Sequence, residues 1–494
     1  MKNLRAIGHF AGCLVALVAL GTGACGGGSP ATKPDTGAQD VAADQQQATD
    51  VLPGTDVAPD GGVEDAAVPD DAADAQIDAG SGIDCAPSPT GGPRPAGTAP
   101  QQVPGPTVTT SATRPELSAA VADGQYTIQK ALAKGYLING GTPPDGGVGP
   151  VTFSETDNWD PQANGIGDPA TFTPMFTVAA NGSGTHTSLM TAFNDANNLG
   201  VCGRVYIRLM PGEYRGQSVV PSKTSAPGIT LYSTETDASK TVIVASAAGA
   251  TSGSMTNSAT LRVSALRGFQ MKNLTVANDY VEGSAPGNNQ NAVAMLLQSD
   301  KSQFENVRFI GNIGTLYIKS SVETIKARSY FRDCYIEGDQ DFIVGRGTAV
   351  FDHCEIKSLA GRMPTGGNIG YPSTLIFTDY GFLFDSCNFT AEAGASGVTL
   401  GRQWVEESDT LATRGMPVGK MIVRNSTLGA HLAGAAPWSL MGARTTTPKN
   451  PDVDAGQPAV LLYTSDDYFP AGVGPTPAEP YLGEYRNSGP GAHQ

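Results

Sequence analysis

The chain has 494 residues, with 47 acidic against 31 basic side chains and a formal net charge of −16. That excess of acid offers no basic surface, so no nucleic-acid partner is expected. The chain is long for one ordinary domain and only 7% aromatic, so part of it is expected to lie outside any packed core.

Residues 1–25 read as an export signal. Lys2 and Arg5 supply the charged start, and Ala11 to Leu20 form an apolar run too short to span a bilayer. The run ends in Thr22-Gly23-Ala24-Cys25, which resembles a bacterial lipoprotein cleavage box, with Thr22 where an aliphatic residue is usual. The resemblance implies lipid on Cys25 and, because Gly26 follows, an outer-membrane or extracellular destination. Residues 26–115 are rich in Ala, Asp, Gly, Pro, Gln and Thr, a composition that cannot bury enough surface to fold. Thirteen acids but only Lys33 fall between residues 26 and 84, so most of the net charge resides in this stretch. It reads as a tether with an end-to-end distance of roughly 50 Å.

Residues 116–494 read as the folded domain. Short helices are expected at Thr127–Lys134 and Ser188–Asn197. Strands are expected at Val205–Leu209, Ile229–Tyr232, Thr241–Ala245 and Thr260–Val263. A repeat then begins: Met271-Lys272-Asn273-Leu274, Phe304-Glu305-Asn306-Val307, Phe331-Arg332-Asp333-Cys334, Phe351-Asp352-His353-Cys354 and Phe384-Asp385-Ser386-Cys387, with Val423-Arg424-Asn425-Ser426 a weaker copy. Each copy leads into a strand, and the spacings are 33, 27, 20, 33 and 39 residues. Repeats of this length carrying strands and no recurring helix predict an all-β solenoid, a parallel β-helix with long loops on one face. A propeller, which needs steadier periods, is the alternative.

Of seven cysteines, Cys334 and Cys354 occupy the same position on consecutive repeats. Stacked strands place such positions about 4.8 Å apart, so the two are expected to be bonded or adjacent. Cys387 lies on the next repeat, and Cys85 and Cys202 have no assigned partner. No Cys or His cluster has metal-ligand spacing, and no metal or cofactor is expected.

The stretch Glu337-Gly338-Asp339-Gln340-Asp341-Phe342-Ile343-Val344-Gly345 carries three acids at alternate positions in an apolar setting. In an extended strand Glu337, Asp339 and Asp341 share one face, an electrostatically costly cluster of the kind found where chemistry occurs. The solvated-turn alternative makes Gly338 and Asp339 a strand cap. There is no Gly-x-Ser-x-Gly elbow, phosphate loop or His-Glu-x-x-His, so acid chemistry must come from carboxylates.

Gly338 to Gly345 followed by Ala349-Val350-Phe351, together with Leu400-Gly401-Arg402-Gln403-Trp404, resembles the pectin methylesterase (pectinesterase) family. Supporting matches run in order through Ala180-Asn181-Gly182-Ser183-Gly184, Pro211-Gly212, Ala292-Val293-Ala294 and Thr315-Leu316-Tyr317. The resemblance implies a right-handed parallel β-helix and a monomeric enzyme acting on pectin or an oligogalacturonate-like polysaccharide. It implies Asp341 as nucleophile, held as a carboxylate by Arg402. Trp404, Asn291, Gln290 and Phe342 become the expected substrate contacts.

The departures are specific. Where the family carries a Gln-Asp pair that supplies an oxyanion donor and the general acid/base, this chain has Ile313-Gly314. The usual aromatic within the nucleophile stretch is Val344. Each lost function is worth about 10²–10⁴ in rate, so reduced activity is expected unless another carboxylate substitutes. Asp339, expected to face the same way as Asp341, is the candidate, alone or by sharing a proton. Three readings stay open: an exported pectin methyl esterase, a non-catalytic polysaccharide-binding lipoprotein, and an esterase or thioesterase on another acyl substrate.

Overall fold

Met271, Phe304, Phe331, Phe351, Phe384 and Val423 stand opposite one another on successive parallel strands, so the repeat in the sequence is one coil of the structure. The rings of Phe304, Phe331, Phe351 and Phe384 stack face to face, with centroids 4.6, 4.8 and 4.4 Å apart. The third residue of every copy takes positive φ: Asn273, Asn306, Asp333, His353, Ser386 and Asn425 lie between 50° and 60°. That conformation turns the chain through a corner. It disfavours side chains with a Cβ, and Asn and Asp tolerate it best, which explains the small polar residue in the pattern.

This computed structural model describes residues 114, 116–138, 151–156, 159–199, 203–220, 228–264, 268–287, 289–319, 327–374, 380–402, 404, 419–434, 437–439 and 481–492. The expected export signal, Cys25, the tether apart from Arg114, Cys85 and Cys202 lie outside the described residues. Among the described residues no helix is long and apolar enough to cross a membrane.

Each coil has three faces. Strands such as Arg328–Arg332 and Thr348–Asp352 form the first, and Tyr335–Gly338 and Glu355–Ser358 the second. The long strands Gln270–Asn278 and Ser302–Ile310 run through the corner and join these two faces into one 16-stranded sheet. The third face is an 8-stranded sheet that includes Met295–Gln298, Leu316–Ile318, Ile343–Gly345, Asn368–Pro372 and Thr399–Arg402. Pairing is parallel throughout both sheets, as the solenoid reading expects. The inward residues of all three faces form one continuous apolar core.

The expected helices appear as α2 (Ile128–Ala133) and α3 (Leu189–Asn198), preceded by α1 (Ala119–Gln125), which the sequence reading missed. Leu117, Ala122, Tyr126, Ile128, Ala131 and Leu132 pack over Tyr330, Val350, Tyr380, Leu383 and Ile422 on the outer side of the first face. Alternation along each strand therefore feeds two cores, with Phe331 inward and Tyr330 outward. Strands Lys134–Ile138 and Val151–Thr156 add an antiparallel pair. The fold also takes in Arg114, short of the expected boundary: its guanidinium donates to both carboxylate oxygens of Glu484 at 2.7 and 2.8 Å.

Cys334, Cys354 and Cys387 are buried free thiols, so the disulfide expected between Cys334 and Cys354 is not formed. They are adjacent, as the repeat implies: the amide of Glu355 donates to Cys334 O and that of Asn388 to Cys354 O. An in-register ladder keeps equivalent Cβ vectors parallel, whereas a disulfide needs them to converge. Each thiol instead turns to a backbone carbonyl: Arg332 O for Cys334 (3.3 Å), Phe331 O for Cys354 (3.4 Å) and Phe351 O for Cys387 (3.3 Å).

Candidate active site

The acid-bearing stretch is a corner between the second and third faces, not a continuous strand. Tyr335–Gly338 ends the second face and Ile343–Gly345 begins the third. Between them Asp341 has a φ of 45°. The Asp339 amide donates to Asn312 O on the preceding coil, and the Asp341 amide to Asn368 O on the following one. In a regular parallel strand residues two apart send their amides the same way, so the alternation expected to align Glu337, Asp339 and Asp341 is broken here. Gly338 makes the turn possible, since a Cβ there would lie 2.2 Å from that of Phe342.

Asp341 is 2% exposed, and its carboxylate is gripped by Arg402, with Nη2 to Oδ2 at 2.7 Å and Nε to Oδ1 at 3.3 Å. Asp339 is equally buried but belongs to Arg362, whose Nε and Nη2 reach its two oxygens at 2.9 and 2.8 Å. The two aspartates thus have separate guanidinium partners, and the proton-sharing pair is not formed. Two-pronged charge-assisted bonds fix both carboxylates in orientation.

Phe342 departs from expectation. It is fully buried in the solenoid core and cannot touch a ligand. Positive φ at Asp341 reverses the sides, sending the next residue inward. Gln290 is also otherwise engaged: its Oε1 accepts from the Tyr280 hydroxyl at 3.0 Å and the Gly283 amide at 2.8 Å, bracing its own loop. Asn291 does reach the site. Its Oδ1 lies 3.3 Å from where a Cβ on Gly314 would stand. Gly314 follows Ile313, which pairs with Gln340, so Gly314 neighbours Asp341 across the coils. Its φ is 69°, and a Cβ there would come within 2.7 Å of the Met255 methyl.

The outer side of the third face carries a row in register: Leu296, Tyr317, Val344 and Tyr371. The Arg402 guanidinium lies over the Tyr371 ring at 4.5 Å. Trp404 stacks on Tyr371, with centroids 5.2 Å apart at 15°, and its ring lies 6.0 Å from that of Tyr317. Sequence reasoning assigned Trp404 but missed Tyr371, whose role depends on which coil it lands beside. The described residues hold no cluster of His, Cys, Asp or Glu that could bind a metal ion.

The chain matches the Pectinesterase family over residues 175–423. A pectinesterase of Ralstonia solanacearum is 39% identical over 354 residues, covering 67% of this chain and 85% of that protein. The chain belongs to the pectinesterase family. Membership makes it a carboxylic ester hydrolase. The Escherichia coli protein YbhC, named a putative acyl-CoA thioester hydrolase, is 29% identical over 308 residues, covering 54% of this chain and 69% of its own. Its crystal structure gives a TM-score of 0.58 at 24% identity, covering 79% of this pectinesterase-family chain and 99% of that one. A pectin methylesterase solved in complex with a hexasaccharide gives 0.52 at 22% identity, covering 65% and 91%. These likenesses establish the fold as a right-handed parallel β-helix.

Proposed function

We propose that this chain hydrolyses the methyl esters of pectin, with Asp341 as nucleophile. The observation that carries the reading is the buried Asp341–Arg402 pair at a corner of the solenoid. A carboxylate attacks an ester only when ionised and held still, and a guanidinium fork favours both conditions. Asp341 forms a bond to the ester carbonyl carbon, methanol leaves, and water cleaves the acyl-enzyme and restores the carboxylate. Asn291 lies beside Gly314, with its Oδ1 turned toward that position and its Nδ2 donating to Asn289 Oδ1 at 3.0 Å. Trp404, partly buried and backed by Tyr371, offers a flat face to a sugar ring.

Ile313 and Gly314 support a lower rate than in members with the Gln-Asp pair. The apolar row Leu296, Tyr317, Val344 and Tyr371 favours a second reading, a less polar acyl ester or thioester, in line with the name given to YbhC. Export and a lipid on Cys25 belong to the same proposal, supported by the charged start, the apolar run and the small residues before Cys25.

Methanol release from methylated polygalacturonate by the purified chain tests the reading. Asp341→Asn is expected to lower it by at least about 10³-fold while oligogalacturonate binding persists. Unchanged turnover in that variant would overturn the assignment. Binding by the parent without turnover would favour a non-catalytic polysaccharide-binding protein, and turnover of thioesters alone the second reading.

A further inference from the structure

Ester hydrolysis by Asp341 needs a proton for the leaving methoxide, and Gly314 has no side chain to give one. The adjoining corner of the coils does hold an acid. Glu282 lies on the loop between Gln270–Asn278 and Met295–Gln298, which Gln290 braces from inside. Asn312, two residues before Gly314, donates from Nδ2 to Glu282 Oε2 at 2.8 Å. Asn312 O in turn accepts from the Asp339 amide at 3.1 Å, and Asp339 is forked by Arg362. Four successive coils therefore contribute Glu282, Asn312, Asp339 and Arg362 to one polar stack, which joins the nucleophile's corner through Asp339, two residues before Asp341, and through the Ile313–Gln340 pairing next to Asn312.

The other carboxyl oxygen, Glu282 Oε1, is buried and has no hydrogen-bond partner. A bare carboxylate oxygen there costs more than a neutral acid, whose hydroxyl awaits an acceptor. Burial pushes the Glu282 carboxyl up, and the nearby charge of Asp339 adds to this, against the Asn312 hydrogen bond and Arg362. The two groups already committed to arginines, Asp339 and Asp341, are not free to play this part.

We propose that Glu282 is the proton carrier of the esterase reaction, standing in for the carboxylate that position 314 lacks. The proposal rests on the methyl esterase reading above. As Asp341 bonds to the carbonyl carbon and the carbon–methoxy bond breaks, Glu282 gives its proton to the departing oxygen, releasing methanol. Water then attacks the acyl-enzyme and passes a proton to the Glu282 carboxylate, while the bond to Asp341 breaks and its carboxylate returns. Atoms and charge balance to ester plus water giving acid plus methanol.

The test uses the full chain and methylated polygalacturonate. Glu282→Gln keeps the oxygen that accepts from Asn312, so its melting midpoint and KM should match the parent. Its kcat for methanol release should fall at least about thirtyfold, a cautious share of what acid/base help provides. The fall in rate at alkaline pH caused by loss of the Glu282 proton should vanish from its profile. Glu282→Ala should lose as much and regain turnover on adding formate, which a purely structural role would not allow. Parental kcat and pH profile in Glu282→Gln, or a folded Glu282→Ala that formate does not rescue, would overturn the proposal. If Asp341→Asn is then inactive, the methyl esterase reading survives it. A parent chain that releases no methanol removes both.

Discussion

Asp341 holds its carboxylate from a backbone that most residues avoid, at a cost of about 1 kcal/mol. The conformation persists because both neighbouring coils bond the stretch and Arg402 grips the side chain. It also turns Asp341 away from the line of Glu337 and Asp339, which no reading of alternation could foresee. Glu282 was equally hidden in the sequence, where Val281-Glu282-Gly283 is an ordinary polar loop. Only the stacking of coils brings it to Asn312. A different buried group contributes to the loss of stability in acid. His431 is buried, its Nε2 has no hydrogen-bond partner, and burial pushes its imidazole below the ordinary value of 6.5. The unfolded chain therefore binds a proton that the folded chain refuses, and stability falls as pH drops from 6.5 through the depressed value. Thermal midpoints measured down that range should decline, and His431→Leu should flatten the decline. An equal slope in the variant would place the loss elsewhere.

The strand ladders were the most legible elements. The repeat placed Phe331 on the interior, and the structure sets its ring between Phe304 and Phe351 at 4.6 and 4.8 Å. Truncating a fully buried ring leaves a cavity that a stack of strands cannot close, because backbone hydrogen bonds fix the coil spacing. Phe331→Ala should therefore cost about 3–5 kcal/mol in denaturant unfolding. A loss below about 1 kcal/mol would mean that the coils relax into the space. The same in-register stacking that aligns the rings keeps the three thiols parallel and unbonded. What the pattern lacked was any cue for the third face, whose strands are short and separated from the repeat by loops of varied length.

At the scale of the molecule, the solenoid must shield its outer surfaces as well as its core. Helices α1 and α2 cover the first face, and Arg424 ties them down by donating to the carbonyls of Ala122 and Tyr126, both at 2.7 Å. Arg114 fastens the segment before α1 to the last described strand, Tyr481–Tyr485, through Glu484, and both side chains are nearly inaccessible to water. Removing one partner of such a pair leaves a buried charge, so Arg114→Ala should destabilise the chain by about 3 kcal/mol. A midpoint unchanged from the parent would show that Glu484 finds a substitute donor. The acidic stretch between residues 26 and 84 lies outside the described residues, so the net charge of −16 says little about the surface of the solenoid.

Periodicity and composition determined the class of fold, because coil length, inward Phe and corner Asn or Asp follow from local sterics and burial. The Gly338–Gly345 and Leu400–Trp404 stretches likewise marked Asp341 and Arg402 through their resemblance to the family, since the proposed nucleophile and its arginine each sit in a distinctive local sequence. Tertiary structure alone decided which carboxylate meets which arginine, that Phe342 is core, that Gln290 braces a loop and that Glu282 joins the corner. The arginine pairings and the place of Glu282 depend on neighbours 23 to 61 residues apart in the chain but one or two coils apart in space. Loop lengths between coils set that register, and no local pattern encodes it.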